Sequence, residues 1–265
     1  MSKIAIIGGG NLGSAIAEGL LNSRFTKAED LYVTRRNPSL LEGLKAKGVH
    51  VLSDNLAAVQ NADYIILAIK PFQIADVIKQ ISPALTPGRH TLISVVTGIW
   101  MQDLIELTED KLPIVRAMPN TAIAIQESMT CTCMYNVTEE QQKFVTDLFN
   151  QLGKTVEIEE KLMDAATVLG ACGTAFALRY IRANIQGGVE IGFNSKVAAL
   201  IAAQTVKGAA DLLLQNHTHP EQEIDKVTTP KGCTIAGLNE MEHRGLSSSI
   251  IRGITTSYKK IVEKM

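Results

Sequence analysis

The chain has 265 residues, enough for two modest domains or one large one, each with its own apolar core. Its 26 lysine and arginine residues nearly balance 27 aspartate and glutamate residues, giving a formal net charge of -1. This balance argues against a surface that coats nucleic acid and against a polybasic membrane anchor, so the expected partner is a small molecule.

A predicted buried strand leads into a glycine-rich turn near the start of the chain. The apolar run Ile4–Ile7 precedes a G-x-G-x-x-G pattern, followed by a helix predicted from about Leu12 to Asn22. In such a turn the first glycine permits the tight bend, the second lets the backbone approach a pyrophosphate, and the third lets helix and strand pack closely. The pattern therefore predicts a dinucleotide site. Its candidate residues are Gly8, Gly10, Asn11, Leu12 and Gly13.

Short β-rich segments alternate with helical patterns through about residue 158. The predicted strands are Ile4–Ile7, Leu31–Thr34, Val49–Leu52, Tyr64–Ala68, Thr91–Val96, Ile114–Ala117, Met129–Met134 and Thr155–Ile158. The predicted helices between them include Ser39–Lys47, Phe72–Ile81 and Glu139–Leu152. This alternation is typical of parallel β-α-β units with helices on both faces of the sheet. We therefore predict an α/β fold with an N-terminal Rossmann, doubly wound sheet in residues 1–160.

The pattern becomes all-helical from about Lys161 onward. Ala-rich helical stretches are predicted at Leu162–Val189, Ser195–Asn216 and Gly245–Glu263, with Ser195 as an N-cap. Ala-rich helices have small side chains and bury limited apolar area by themselves. They therefore favour a core that is shared with a second copy of the chain. Residues 161–265 are therefore predicted to form a helical dimerisation and substrate domain.

The end of the second strand bears on the choice of nicotinamide cofactor. An acidic residue about 20 positions beyond the glycines would bond the ribose 2′-hydroxyl of NAD, whereas basic residues accommodate the 2′-phosphate of NADP. Here Thr34 is followed by Arg35 and Arg36, and no carboxylate occurs between Leu31 and Leu41. The residues favour NADPH, with NADH weaker. The alternative is that both arginines are simply solvated turn residues.

Four further strings carry a resemblance to a known family. They are Ala68-Ile69-Lys70-Pro71, Ser94-Val95-Val96-Thr97-Gly98-Ile99, Arg116-Ala117-Met118-Pro119-Asn120-Thr121-Ala122 and Thr228-Thr229-Pro230-Lys231-Gly232-Cys233-Thr234-Ile235-Ala236-Gly237-Leu238. With the glycine-rich opening, they resemble the pyrroline-5-carboxylate reductase family over essentially the whole chain. The resemblance implies an NADPH-binding N-terminal domain, a C-terminal helical domain that interleaves with a partner subunit, and an active site between the two.

The resemblance also extends the set of cofactor contacts. The added positions end the third, fourth and fifth predicted strands, at the carboxyl edge where open α/β sheets bind ligands. They are Asn55, Ala68, Lys70, Pro71, Val96 and Thr97, which join Thr34, Arg35 and Arg36 at the end of the second strand as the cofactor-binding candidates beyond the glycine turn.

The implied reaction transfers a hydride to the C=N carbon of a cyclic imine acid, 1-pyrroline-5-carboxylate, and gives L-proline. The protein must then hold the substrate carboxylate and stabilise the ring nitrogen. A loop entering a helix N-terminus could bind the carboxylate through backbone amides, and the Thr234 hydroxyl could bond the nitrogen or a carboxylate oxygen. Thr234 is the catalytic candidate, and the substrate-binding candidates are Thr229, Lys231, Gly232, Cys233 and Thr234.

Two strings depart from the family pattern. Gly170-Ala171-Cys172-Gly173-Thr174-Ala175 stands where the family usually has Ser-Gly-Ser-Gly-Pro-Ala, and Thr229, Lys231 and Cys233 replace Ser, Gly and Thr in the last loop. Two alternatives stay open: a reductase of a different imine acid, and a catalytically inactive NADP-binding regulatory protein. A β-hydroxyacid dehydrogenase is disfavoured because its catalytic lysine has no counterpart in Leu162–Val189.

The remaining expectations concern location and metals. The four cysteines lack paired C-x-x-C spacing and are expected to be free thiols in a cytoplasmic protein. His217 and His219 have no obvious additional ligands and are interpreted as part of a solvated loop, so no metal site is predicted. We expect a homodimer through the C-terminal helices, with a higher oligomer of dimers left open.

Overall fold

A computed structural model describes residues 2–263 of the chain. The chain divides after Cys172 into two compact units, the second beginning at Gly173.

The first unit is built on a single eight-stranded sheet. Its strands are β1 Ile4–Ile7, β2 Leu31–Thr34, β3 His50–Leu52, β4 Tyr64–Leu67, β5 Thr91–Ser94, β6 Ile114–Met118, β7 Ser128–Tyr135 and β8 Gly153–Glu157. Their order in the sheet is β3-β2-β1-β4-β5-β6-β7-β8. The chain reverses direction across the sheet between β1 and β4, the switch point where doubly wound sheets bind ligands.

The helices follow in chain order. They are α1 Asn11–Asn22, α2 Glu42–Ala46, α3 Asn55–Gln60, α4 Ile74–Ile81, α5 Met101–Leu107, α6 Glu139–Asn150, α7 Met163–Ala166, α8 Gly173–Glu190, α9 Ser195–Asn216, α10 Pro220–Lys226, α11 Cys233–His243 and α12 Leu246–Val262. Helices α1 to α7 belong to the first unit and α8 to α12 to the second.

Both faces of the sheet are covered, because successive side chains of a strand point to opposite faces. Ile4 and Ile6 of β1 pack in one core with Phe149 of α6, whereas Ile7 packs in the other with Ile78 of α4. β1 is therefore buried along its whole length, which explains its uninterrupted apolar sequence. The predicted doubly wound arrangement is confirmed.

The expectation of parallel units throughout is wrong at one position. β7 runs antiparallel to β6, with Ala117 opposite Thr132. Only a short connection with one 3₁₀ turn, Thr121–Ile125, separates the two strands. A parallel crossover needs a dozen or more residues, so this connection is too short to return the chain to the starting edge.

The second unit is all-helical, as predicted. Helix α10 was not predicted, and two further details differ from the sequence-based interpretation. The N-cap of α9 is Asn194, whose side chain accepts a hydrogen bond from the Val197 amide, and Ser195 is instead the first helical residue. The stretch predicted as one helix from Leu162 is interrupted before α8 by a π-helical segment, Thr167–Cys172, which belongs to the first unit.

Two helical segments have the length and apolar composition needed to cross a membrane, Glu160–Glu190 and Ser195–Asn216. In each, less than a quarter of the most apolar window is buried within the single chain. Helices that pack against another protein meet the same criterion, so length and composition do not distinguish the two environments.

Candidate functional site

A cleft of about 760 Å³ opens at the carboxyl ends of β1, β2, β4 and β5. A cleft of this size is typical of cofactor sites. Its lining includes all the predicted cofactor residues except Gly13: Gly8, Gly10, Asn11, Leu12, Thr34, Arg35, Arg36, Asn55, Ala68, Lys70, Pro71, Val96 and Thr97. Residues separated by up to 89 positions in the sequence are thereby brought to one edge of the sheet.

The three glycines of the G-x-G-x-x-G pattern differ in the space around them. Gly8 has φ +109°, and a Cβ there would lie 2.4 Å from the Ala68 carbonyl oxygen. At Gly13, which lies beneath the turn, a Cβ would be 2.1 Å from the Gly8 carbonyl oxygen. At Gly10, by contrast, a Cβ would meet no atom within 4 Å and would enter open space. The backbone at Gly10 is therefore accessible to a pyrophosphate, which fits the chemistry expected of a dinucleotide cradle.

Residues at the end of β2 hold this turn. The amides of Gly8 and Gly9 both donate to the Thr34 carbonyl oxygen, at 3.2 and 2.6 Å. Arg35 Nη1 donates to the Gly9 carbonyl oxygen at 2.8 Å. Arg36 is exposed and lines the cleft. Both arginines line the cleft, but Arg35 also braces the turn, whereas Arg36 is exposed and leaves its charge available there.

A second set of hydrogen bonds fixes the side chain of Asn55. The Thr34 hydroxyl donates to Asn55 Oδ1 at 2.6 Å, and Asn55 Nδ2 donates to Gln80 Oε1 at 2.9 Å. The Thr34 hydroxyl oxygen also accepts from the Gly8 amide at 3.3 Å. These bonds link the ends of β2 and β3 to the glycine turn.

The cleft also includes residues that the sequence interpretation did not identify. These are Ile7, Gly9, Asn37, Gln73, Val77 and Val95. Gln73 and Val77 are four residues apart, and their helical spacing directly after the Lys70-Pro71 pair could have indicated a shared face toward the cleft. Gln73 Oε1 additionally accepts from the Lys70 amide at 3.2 Å.

The predicted substrate loop lies in the second unit. The Gly232 amide donates to the Thr229 carbonyl oxygen at 2.9 Å, closing a tight turn before α11. Lys231 has φ +59°, in the left-handed region. This is one of the positions where the family usually has glycine, and the backbone retains a conformation that favours glycine. Thr234 lies half-buried in the first turn of α11.

An apolar cavity of about 950 Å³ lies within the second unit. Cys233 lines it, together with Tyr180, Phe193, Ala198 and Met241. Of the predicted substrate residues, Cys233 alone borders this cavity among the residues in the described part of the chain.

The cysteines are unpaired, and burial raises the thiol pKa of the two that lie on β7. Cys131 and Cys133 lie on β7, and Cys131, Cys133, Cys172 and Cys233 are free. Burial raises the pKa of the Cys133 thiol to about 11 and also raises that of Cys131. Both are therefore protonated at neutral pH and weak as nucleophiles. Between residues 2 and 263 no three potential metal-ligating side chains of His, Cys, Asp or Glu converge.

Two protein-family models match separate parts of the sequence. Residues 3–98 match NADP oxidoreductase, coenzyme F420-dependent, and residues 160–264 match pyrroline-5-carboxylate reductase dimerisation. The C-terminal region is therefore a dimerisation domain.

Similar proteins cover nearly the whole chain. Pyrroline-5-carboxylate reductase 2 of Dictyostelium discoideum is 44% identical over 97% of this chain and 91% of its own length. Pyrroline-5-carboxylate reductase 1 of the same organism is 46% identical, and the chain spans about half of its length (49%). A crystal structure of the Plasmodium falciparum pyrroline carboxylate reductase with NADP bound has a TM-score of 0.87 and 29% identity, covering 98% of this chain and 97% of that one. With its two-unit fold and nearly full-length relatives, the chain belongs to the pyrroline-5-carboxylate reductase family.

Proposed function

We propose that the protein reduces 1-pyrroline-5-carboxylate to L-proline with NADPH, the last step of proline biosynthesis. The observation that carries the proposal is the cleft at the carboxyl edge of the sheet. It occurs in a chain that is 44% identical, over nearly its full length, to a relative named pyrroline-5-carboxylate reductase. Bound NADPH supplies the hydride for this class of reaction. The protein supplies binding and orientation.

Arg36 and the glycine turn define how the cofactor would lie. The 2′-phosphate needs a cation, and Arg36 provides one at the β2 side of the cleft. The pyrophosphate needs backbone amides without side chains in the way, as at Gly10. The nicotinamide half is then left to the β5 side, where Val96 and Thr97 line the cleft.

The substrate roles rest on the family pattern of the last loop. Amides of Cys233 and Thr234 at the N-terminus of α11 are proposed to hold the substrate carboxylate, and Gly232, whose own amide is bonded to the Thr229 carbonyl oxygen, is proposed to shape the turn beside it. The Thr234 hydroxyl is proposed to bond the ring nitrogen or a carboxylate oxygen, holding the C=N bond in place as the nitrogen becomes an amine. Thr229 and Cys233 complete this proposed site, and Lys231 is proposed to add a cation near the acidic group.

The dimerisation domain supports a homodimer formed through the C-terminal helices. Large apolar side chains remain exposed on this unit, including Leu178, Leu200, Leu214 and Ile251, each at least 60% exposed. Such surface is typical of a subunit interface. From the family match at residues 160–264, we further propose residues 1–160 and 161–265 as the two domains, a boundary that precedes the division into compact units after Cys172. We also propose the cytoplasm as the location. A ring of dimers is the higher assembly to test by light scattering.

The direct experiment measures NADPH oxidation by the purified protein with 1-pyrroline-5-carboxylate. NADH and the six-membered cyclic imine acid are run as parallel reactions. Turnover with the five-membered substrate, faster with NADPH than with NADH, is the expected result. Turnover of the six-membered substrate alone would favour the different imine acid. NADPH binding without turnover of either would favour the regulatory alternative, for which the altered Gly170–Ala175 string is the specific support.

A further inference from the structure

A partly buried ion pair, in which Arg116 is buried and Glu160 is about one-third exposed, lies beside the loop that ends the cleft on its β5 side. Arg116 of β6 is 3% exposed at its side chain, and its Nη1 lies 2.6 Å from Glu160 Oε1. The pair joins residues 44 positions apart, both within the first unit. A buried guanidinium is tolerated only with a partner that compensates its charge, so the position of Glu160 is tightly constrained.

The same carboxylate oxygen has a second donor. The Met101 amide, at the start of α5, donates to Glu160 Oε1 at 2.5 Å. Trp100, the residue before it, has its ring 5.5 Å from the Arg116 guanidinium carbon, within the range of a cation-π contact. Through these contacts, Arg116 and Glu160 fix the positions of Trp100 and Met101. We name these four residues the Arg116–Glu160 anchor.

The anchor lies only a few residues along the chain from the part of the cleft lining formed by Val96 and Thr97, which we call the Val96–Thr97 wall. Val96 and Thr97 line the cleft, and the chain reaches Trp100 through Gly98 and Ile99. Thr97 and Gly98 are exposed, and Gly98 has φ +76° with no atom within 4 Å of a Cβ built there. The Thr97 hydroxyl donates to Met118 Sδ, a weak acceptor, at 3.7 Å, whereas at the far end of the loop the Trp100 amide donates to Asp103 Oδ2 at 2.8 Å. Local packing at Thr97 and Gly98 therefore does little to fix the loop.

We propose that Arg116 and Glu160 are positioning residues for the nicotinamide half of the cofactor site, acting through the Val96–Thr97 wall. The inference deepens the proposed function and depends on it for the identity of the cofactor. Neither side chain lines the cleft, so neither is a catalytic residue. Their charge-assisted bonds fix the end of the loop whose start forms the wall.

The order of the strands in the sheet allows a local effect on the nicotinamide half to be distinguished from a general loss of stability. Arg36 follows β2 and the wall follows β5, three strand spacings away, which is about 14 Å. A disturbance confined to the wall should weaken the grip on the nicotinamide half and leave the adenosine half unaffected. Global damage would weaken both halves.

The test compares the dissociation constants of NADPH and adenosine 2′,5′-bisphosphate, measured by calorimetry on the whole protein. Glu160→Gln keeps the size of the side chain and removes its charge. We expect NADPH to bind roughly three- to tenfold more weakly, with binding of the bisphosphate unchanged. The neighbouring variant Glu159→Gln is the matched control, since Glu159 is 70% exposed and pairs only with Lys161 in the contacts of residues 2–263. It should leave both constants unchanged.

Equal weakening of both ligands by Glu160→Gln, or no weakening of either, would overturn the inference. If that variant does not fold, judged by its thermal transition, the same comparison on Arg116→Lys decides the question. Lysine keeps the charge but loses the planar guanidinium. A wild-type protein that binds NADPH but does not reduce the imine would refute the proposed reaction and leave this comparison valid. A wild-type protein that binds neither ligand would refute both.

Discussion

Gly13→Ala tests how closely α1 must pack on β1 to form the cofactor cleft. The new Cβ would lie 2.1 Å from the Gly8 carbonyl oxygen and 3.2 Å from Ile6 Cγ2. Ordinary contacts begin at 3.4 Å, so helix and turn must separate by more than an ångström. Overpacking of this kind costs about 2 kcal/mol of stability. In a unit of this size, such a loss lowers the melting temperature by roughly 4–8 °C.

Gly10→Ala is the matched control because its Cβ meets no protein atom within 4 Å. Gly10 is the N-cap of α1 in extended backbone, where alanine is a poorer cap but restricts the unfolded chain, and these opposing effects leave a net change in stability of about 0.5 kcal/mol. Its methyl group enters the space proposed for the pyrophosphate. We therefore expect Gly10→Ala to weaken NADPH binding and to leave the melting temperature at its wild-type value. Gly13→Ala should lower both the NADPH affinity and the melting temperature.

Differential scanning calorimetry and NADPH titration measure the two effects on the same samples. A wild-type melting temperature for Gly13→Ala would refute the packing argument. Wild-type NADPH affinity for Gly10→Ala would refute the placement of the pyrophosphate.

Four further predictions concern charged or titratable side chains. Arg36→Ala should raise the KM for NADPH about tenfold, the loss expected for a charge-assisted bond to phosphate, and leave the KM for NADH unchanged; an equal effect on both would contradict the role of Arg36. Arg35→Ala should instead raise both KM values, because it releases the Gly9 carbonyl oxygen. Lys231→Ala should raise the KM for the imine acid up to about fivefold, the size of an exposed ion pair, and an unchanged KM would remove Lys231 from the site. His90 Nδ1 accepts a hydrogen bond from the Thr86 amide, and burial lowers the pKa of the His90 imidazole. The unfolded chain therefore binds the proton more readily than the folded chain. The free energy of unfolding should fall as the pH drops below about 6.5. His90→Asn should flatten that slope in urea titrations at several pH values, and an unchanged slope would exclude His90.

Much of the first unit was predictable because a buried parallel strand has a strong sequence pattern. Ile4–Ile7 and Leu31–Thr34 match β1 and β2 residue for residue. Short helices such as α3, Asn55–Gln60, were missed because six residues do not complete two helical turns of periodicity. Asn194 was missed as the cap of α9 because Ser195 beside it is an equally good capping residue.

The sequence by itself determined the doubly wound sheet, the glycine turn, the basic residues after β2 and the helical C-terminal half, because each depends on local spacing and residue type. Only the tertiary structure decided that Arg35 braces the turn while Arg36 faces the cleft. It also decided that β7 reverses beside β6 and that Glu160 meets both Arg116 and Met101. The physical reason is that hydrogen bonds and ion pairs between residues far apart in sequence depend on the directions in which packed strands and helices point their groups. A one-dimensional pattern does not contain those directions.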